Sequence, residues 1–250
     1  MEIISIINQK GGVGKTTTAV NLSVGLGTYF DKKILLVDLD PQANASIHLG
    51  IEAEPEDSIK DVLLGNKKIK DIIVEVENIY MAPSNISLSS AEIDLINMMK
   101  REEILKNALK GLEYDAVVID CPPCLSILTV NALSASNRVI VPVFADHLSL
   151  VGLSDFLKIF EKVRDYINPE LEMLGYLKTG YDKRVNISGE TESILEEHLK
   201  EKVIDTKIRF NTSLKEAPAK GISIFKYKKC RGQEDYLALA KEIYKKLWGN

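Results

Sequence analysis

The chain has 250 residues, 45% hydrophobic and 27% charged, with a formal net charge of −4. That balance is the one of a water-soluble domain with a sizeable core, and it excludes a disordered segment, a helical membrane bundle and a protein that coats nucleic acid over its whole surface. Three cysteines make no disulfide framework, and neither a basic, apolar leader nor a composition break is visible, so one cytoplasmic domain over 1–250 is expected.

The first apolar run, 2–8, reads as a buried strand, and the segment Lys10-Gly11-Gly12-Val13-Gly14-Lys15-Thr16-Thr17 follows it directly. Glycines at 11, 12 and 14 let the backbone curl until its N–H groups point inward, and a helix opening near Lys15 adds its positive end. Lys15 and Thr16 match the end of the phosphate-loop pattern G-x-x-x-x-G-K-[ST]. The lysine there reaches the β- and γ-phosphates and the hydroxyl ligates Mg²⁺. The first glycine of the pattern is replaced by Gln9, and Lys10 adds a charge that the ordinary loop lacks. A nucleoside triphosphate with Mg²⁺ is the expected ligand.

Helical periodicity over Thr16–Tyr29 gives way to a strand over 33–39, which ends in Asp38-Leu39-Asp40-Pro41-Gln42-Ala43-Asn44. Residues 50–75 read as a surface elaboration rather than core. A strand at 78–83 precedes Ser89-Ser90-Ala91-Glu92, a capping box that would open a helix over Ser90–Leu112. The strand at 115–121 ends in Asp120. Cys121-Pro122-Pro123-Cys124 has a metal-pair spacing, but with His48, His147 and His198 scattered no second ligand pair completes a zinc site. Further strands are expected at 137–144, 172–178 and 203–209, with helices over Leu150–Ile167, Gly189–Lys202 and Gln233–Leu247. Buried strands alternating with helices predict an α/β fold, a doubly wound, mostly parallel sheet flanked by helices. Ligands bind such sheets beyond the carboxyl ends of the strands, which is where Asp38, Asp40 and Asp120 fall. On phosphoryl-transfer chemistry Asp120 would hold Mg²⁺ through a water, and Asp38 lies within reach of the same metal shell.

Charge is unevenly spread. From Lys207 to Arg231 there are eight Lys or Arg residues and a single acid, Glu216. Lys215, Lys226, Lys228, Lys229 and Arg231 are therefore candidate DNA contacts, since phosphate contacts add through counterion release.

The loop K-G-G-V-G-K-T-T resembles the deviant Walker A motif of the ParA/MinD superfamily of P-loop NTPases. Asp38–Asn44, Asp115–Pro123, Tyr181-Asp182-Lys183-Arg184-Val185-Asn186 and Leu214-Lys215-Glu216-Ala217-Pro218 are similar to the further motifs of its ParA/Soj members. The resemblance implies an ATPase in which Lys10 reaches the phosphates of a partner subunit in an ATP-bound homodimer and Asp40 orients the attacking water. It implies an adenine pocket at Thr179, Arg209 and Asn211, although Arg209 stands where the family usually has proline. It places Lys183 and Arg184 on the DNA-facing side, and Phe210 and Ser213 stand where arginines are frequent. Slow, partner-stimulated hydrolysis follows, with nonspecific double-stranded DNA and a ParB-type centromere-binding protein as partners, nucleoid association, and partitioning of a chromosome or plasmid. The alternative is a membrane-associated positioning ATPase of the MinD type, for which the lysine- and Trp248-bearing end of the chain would be the anchor. The same stretch matches a terminal packed helix in ParA/Soj proteins, which makes membrane binding the lesser expectation. A metabolic ligase on the same loop would need a second substrate pocket.

Overall fold

Two strands buried along their whole length, β2 (Ile34–Asp38) and β5 (Ala116–Asp120), lie side by side in the middle of the sheet, because every residue in them finds cover on one face or the other. The structure is a computed structural model and describes residues 1–52, 57–144, 149–182 and 202–249. Its sheet has eight strands, adding β1 (Glu2–Ile6), β3 (Val74–Val76), β4 (Ile79–Ala82), β6 (Arg138–Phe144), β7 (Glu172–Tyr181) and β8 (Val203–Arg209), in the order β3-β4-β2-β5-β1-β6-β7-β8. All pairings are parallel except β3 with β4. The chain moves from β1 to one side of the sheet and later crosses β1 to reach β6, so the strand order reverses around β1. The crevice for a ligand therefore opens at the carboxyl end of β1.

Alternation assigns the two faces. Ile4, Ile6, Leu36 and Val118 point to a layer made by α1 (Lys15–Phe30) and α9 (Arg231–Trp248), where they meet Leu22, Leu26, Leu239 and Ile243. Leu35, Val37, Val117 and Ile119 point the other way, to Ile59 and Leu63 of α3 (Ile59–Leu63), Leu95 of α4 (Leu88–Ile96), Leu105 of α5 (Ile104–Leu109), Leu128 of α6 (Ile127–Ala135) and Phe156 of α7 (Ser149–Tyr166). Each fully buried Leu or Ile contributes about 1.5–3 kcal/mol. Two short helices, α2 (Asn44–His48) and α8 (Ser213–Glu216), sit at the carboxyl end of the sheet.

All seven expected strands are present, and four local expectations need correction. The segment 50–75 is not a surface elaboration: Ile59, Val62, Leu63, Ile69 and Ile72 are core residues, and Ser58 with Asp61 caps α3 reciprocally. The Ser89–Glu92 capping box does not form, because α4 already starts at Leu88. The hydroxyls of Ser89 and Ser90 instead donate back to the carbonyls of Ile86 and Ser87. The single helix over 90–112 is interrupted after Ile96, where Lys100 takes φ +53° before a 3-10 turn, Arg101–Glu103, and α5. Finally, α6 was not expected from the pattern, since a short helix buried on nearly every side, with Thr129, Asn131 and Ser134 among its buried residues, has no amphipathic period to betray it. The helix expected over Gly189–Lys202 lies, but for its last residue, outside the described residues.

Candidate functional site

The phosphate-loop residues form the turn between β1 and α1. Gly12 and Gly14 take φ +75° and +88°, and Gly14 is the N-cap of α1, so the loop uses its glycines where a side chain would be strained. Thr18 donates its N–H to the Gly14 carbonyl and begins the helical ladder. Lys15 is the first helical residue and is buried, with Nζ donating to the Lys10 carbonyl at 3.1 Å. Burial lowers its pKa, and the nearby Asp120 and Asp40 oppose that shift. Lys10 is anchored through its backbone N–H, which donates to Asn8 Oδ1 at 3.0 Å.

The three expected aspartates converge here from the ends of neighbouring strands. Asp38 closes β2, and every oxygen is used: Oδ1 accepts from the Asp40 N–H, and Oδ2 from the N–H and hydroxyl of Ser46. Burial still pushes its pKa up to about 6. Asp40 lies just beyond, its Oδ1 accepting the Gln42 N–H at 2.9 Å. Asp120 closes β5 beside Asp38 and is fully buried, yet neither carboxylate oxygen has a formed hydrogen bond. Burial first and the Asp38 charge second drive its pKa well above the carboxylate range, while the adjacent Thr16 hydroxyl and the Lys15 ammonium pull it the other way. A buried, unpartnered carboxylate next to a threonine hydroxyl is the donor set that a hard divalent cation takes, and the residues fit Mg²⁺ on that ground.

Two cavities meet across the loop and share Gly12, Gly14 and Thr17. One, of about 410 Å³, is bounded by Gly11, Lys15, Thr16 and Asp40, and also by Asn44, His48, Pro123 and Pro218. The other, of about 310 Å³, runs from Val13 to Thr179, Arg209 and Asn211, with Phe144, Ile208, Leu214 and Tyr236 as apolar walls. The expected base-pocket residues are thus together, but two of them are already engaged. The Thr179 hydroxyl donates to the Val13 carbonyl at 2.8 Å. The Arg209 guanidinium grips Asp235 through Nε and Nη2 and reaches Glu234, which raises its pKa, so it braces the wall of the cavity. Asn211 accepts the Ser213 N–H on Oδ1 and keeps its amide donor. Residues such as His48, Phe144 and Tyr236 carried no motif signal; only the fold brings them in.

The basic run 207–231 gathers around the ends of β7 and β8, α8 and the start of α9. Part of its charge is compensated, since Arg209 is paired with Asp235 and Lys228 with Glu216. Lys226, Lys229 and Arg231 are exposed. Lys183 and Arg184 lie outside the described residues. Cys121 is buried and burial raises the pKa of its thiol, whereas Cys124 is exposed; neither belongs to a metal-ligand cluster among the described residues.

The described α9 carries its apolar side inward. Tyr236, Leu239, Ala240 and Ile243 are buried, the Phe30 and Tyr244 rings stack at 4.7 Å, and the Lys32 ammonium lies over Trp248. No helix among the described residues is long and apolar enough to cross a membrane.

An AAA-domain family model matches residues 1–173. The sporulation initiation inhibitor protein Soj of Bacillus subtilis is 44% identical over 248 residues, covering 97% of this chain and 98% of its own. The chromosome partitioning protein ParA of Myxococcus xanthus is 39% identical over 250 residues, covering 98% of this chain and 88% of its own. Among solved structures, cobyrinic acid a,c-diamide synthase from Mycobacterium smegmatis with bound ATP analogue and magnesium superposes with a TM-score of 0.87 at 32% identity, covering 100% of this chain and 97% of that one.

Proposed function

The chain belongs to the ParA/Soj type of the ParA/MinD family of ATPases, and from that premise we propose that it binds ATP with Mg²⁺, dimerises around it, holds DNA in that state and hydrolyses ATP in partitioning a chromosome or plasmid. The observation that carries the nucleotide half is the Asp120 carboxylate, buried without a hydrogen bond beside Thr16 and Lys15. Such a group is costly to keep in a fold, and a bound cation offsets that cost.

Each residue has a role in that reading. The N–H groups of Gly11, Gly12, Val13 and Gly14 cradle the phosphates, with Thr16 and Thr17 at the positive end of α1. Lys15 neutralises the β- and γ-phosphates. Thr16 and Asp120 would hold Mg²⁺, with Asp38 steadying the strand ends behind them, and the ion when bound would screen the charge that develops on the transferred phosphoryl group. Asp40 orients the attacking water from the end of β2. Lys10 serves the nucleotide of a second subunit. Thr179 and Asn211 shape the base cavity, and Arg209 holds its wall. On the basic face, Lys215, Lys226, Lys228, Lys229 and Arg231, together with Lys183 and Arg184, meet DNA phosphates. Two such faces in one dimer bind more tightly than one, which makes ATP the gate. A ParB-type protein would then stimulate an otherwise slow turnover.

The higher identity to Soj and ParA over nearly full length sets partition ahead of a ligase activity. The buried side of α9 supports a packed helix over a membrane anchor. The direct test is binding of a nonspecific duplex without nucleotide, with ADP and with a slowly hydrolysed ATP analogue, at two salt concentrations. Binding confined to the analogue and falling steeply with salt supports the whole scheme; no binding in any state removes DNA from it and leaves the ATPase.

A further inference from the structure

Positive charge gathers in a second place on the surface. A cavity of about 470 Å³ opens between α3, the 3-10 turn Ile69–Asp71 and α5, and Lys67, Lys68, Lys70 and Lys110 line it with no acid among the lining residues. In a chain of net charge −4, solubility alone is served by mixed signs. The acids nearby are engaged elsewhere: Asp57 pairs with Lys67, Asp61 Oδ2 accepts the Ser58 N–H at 3.1 Å, and Asp71 Oδ2 accepts the Lys68 N–H at 3.1 Å. Lys110 Nζ donates to the neutral Asn107 Oδ1 at 2.7 Å, and neither Lys68 nor Lys70 pairs with a carboxylate among the described residues.

Beneath the lysines the floor is apolar. Val62, Ile69 and Leu112 are buried, and Ile104 and Ala108 of α5 are half-buried. A second cavity of about 470 Å³ adjoins the first through Lys70 and Leu112, and there Glu75 and Glu113 balance the lysines, so the unbalanced charge belongs to the α3–α5 groove. Lys33 in the second cavity and Lys110 in the first come just before β2 and β5, which puts the groove at the amino end of the sheet. The nucleotide cavities lie at the carboxyl end. The groove is also on the β3–β4 side, whereas the basic run 207–231 gathers around β8 at the other edge.

A ligand for this groove is anionic along the rim and apolar toward the floor. A duplex offers phosphates to the lysines but nothing to Ile104 and Ala108, and a flat bilayer does not enter a concave site. An amphipathic helix with acids on one side and apolar residues on the other offers both chemistries at once. We propose that the groove docks an acidic amphipathic segment of a partner protein, with Lys68, Lys70 and Lys110 meeting its carboxylates and Ile104 and Ala108 its apolar side. The site goes beyond the function proposed above. A segment seated there leaves the ATP cavities and the DNA face open, so the chain can hold such a partner in every nucleotide state.

The test uses the full chain and a fluorescent helical peptide of glutamates and leucines with the leucines on one side, beside a peptide of the same composition in scrambled order. Wild type is compared with the double variant Lys68→Glu, Lys70→Glu and with Ala108→Arg, which fills the floor while adding positive charge. The patterned peptide should bind wild type more tightly than the scrambled one. The double variant should weaken it roughly tenfold, since two exposed ion pairs become repulsions, and Ala108→Arg should weaken it as well. Binding of the ATP analogue should be unchanged in both, because the groove lies at the other end of the sheet. The double variant alters exposed side chains only, so it decides the matter should Ala108→Arg fail to fold. Absence of binding by the patterned peptide overturns the proposal. Equal affinity for the two peptides, or tighter binding to Ala108→Arg, reduces the groove to bare charge attraction and overturns it too. If the double variant instead loses a nonspecific duplex, or vesicles of anionic lipid, while keeping the peptide, the lysines belong to that ligand and the proposal falls.

Discussion

Asp38 and Asp120 are register partners at the carboxyl ends of adjacent parallel strands, both fully buried, and only Asp38 is hydrogen-bonded. Burial out of water raises both pKa values, and the charge of Asp38 beside it raises that of Asp120 further. The nucleotide-free protein therefore carries an electrostatic cost that a divalent cation would remove.

Asp120→Asn should raise the stability of the nucleotide-free protein and abolish turnover. The sign follows from linkage. A carboxyl whose folded pKa lies above its unfolded value takes up a proton first in the native state, so its destabilising effect is greatest at high pH and fades as pH falls. For Asp38 the fading runs from about pH 6 down to the ordinary carboxylate value of 3.8. The melting temperature of Asp120→Asn should exceed that of wild type by several degrees at pH 8, with the gap closing toward pH 5; each kcal/mol is worth roughly 2–4 °C in a chain of this size. A melting temperature at pH 8 equal to or below that of wild type would remove the repulsion argument.

His48 gives the opposite slope. It is buried at the end of α2 with Nε2 unpartnered, and burial lowers its pKa to about 4 from the ordinary imidazole value of 6.5. Between those values the unfolded chain binds a proton that the folded one does not, so stability is lost as pH falls through that window, by about 3 kcal/mol in full. His48→Gln should lose less stability between pH 6.5 and 4 than wild type in urea titrations. Because Asp38 gains over nearly the same range, the difference between the two proteins is the quantity to read; parallel curves would refute the role of His48.

The strands and the phosphate loop were legible because their physics is local: apolar runs of strand length, and glycines with a lysine and a threonine at fixed spacing. Asp38, Asp40 and Asp120 could be placed at strand ends, but nothing in their neighbourhood said that Asp38 would be satisfied by Ser46 and Asp120 left bare. That difference arises from residues eight positions and a whole strand away. The base cavity was the least legible part. Arg209 lines that cavity, but nothing near it in sequence announced that Asp235, on a helix 26 residues later, would hold its guanidinium. Segment 59–72 was misjudged because its charged residues are as many as its apolar ones in sequence, six of each, while Ile59, Val62, Leu63, Ile69 and Ile72 face the core.

Ile243 separates a packed helix from a membrane anchor. Its side chain is fully buried in the layer shared by α1 and α9. Ile243→Ala should cost about 2–5 kcal/mol and lower the melting temperature accordingly. An anchor helix, free of the domain until it meets lipid, would leave the melting temperature where it was and lose vesicle binding instead.

Lys10 is the residue on which the proposed ATP-bound dimer rests. Its carbonyl accepts the Lys15 ammonium and its N–H is held by Asn8, so the backbone at position 10 is fixed by the loop whatever the side chain does. Lys10→Ala should therefore keep the phosphate cradle and bind ATP within about threefold of wild type, a loss small beside the roughly 1.5–3 kcal/mol typical of a charged hydrogen bond. Its effect should appear only where a second subunit is required. Turnover should fall by about 10³–10⁵, the range over which a charge supplied in trans acts on phosphoryl transfer, and the ATP-dependent dimer should vanish in light scattering. ATP analogue binding measured by calorimetry on the same sample keeps the two effects apart. A variant that still dimerises on the analogue would assign Lys10 to its own subunit's nucleotide and transfer the gating of the basic face to some other contact.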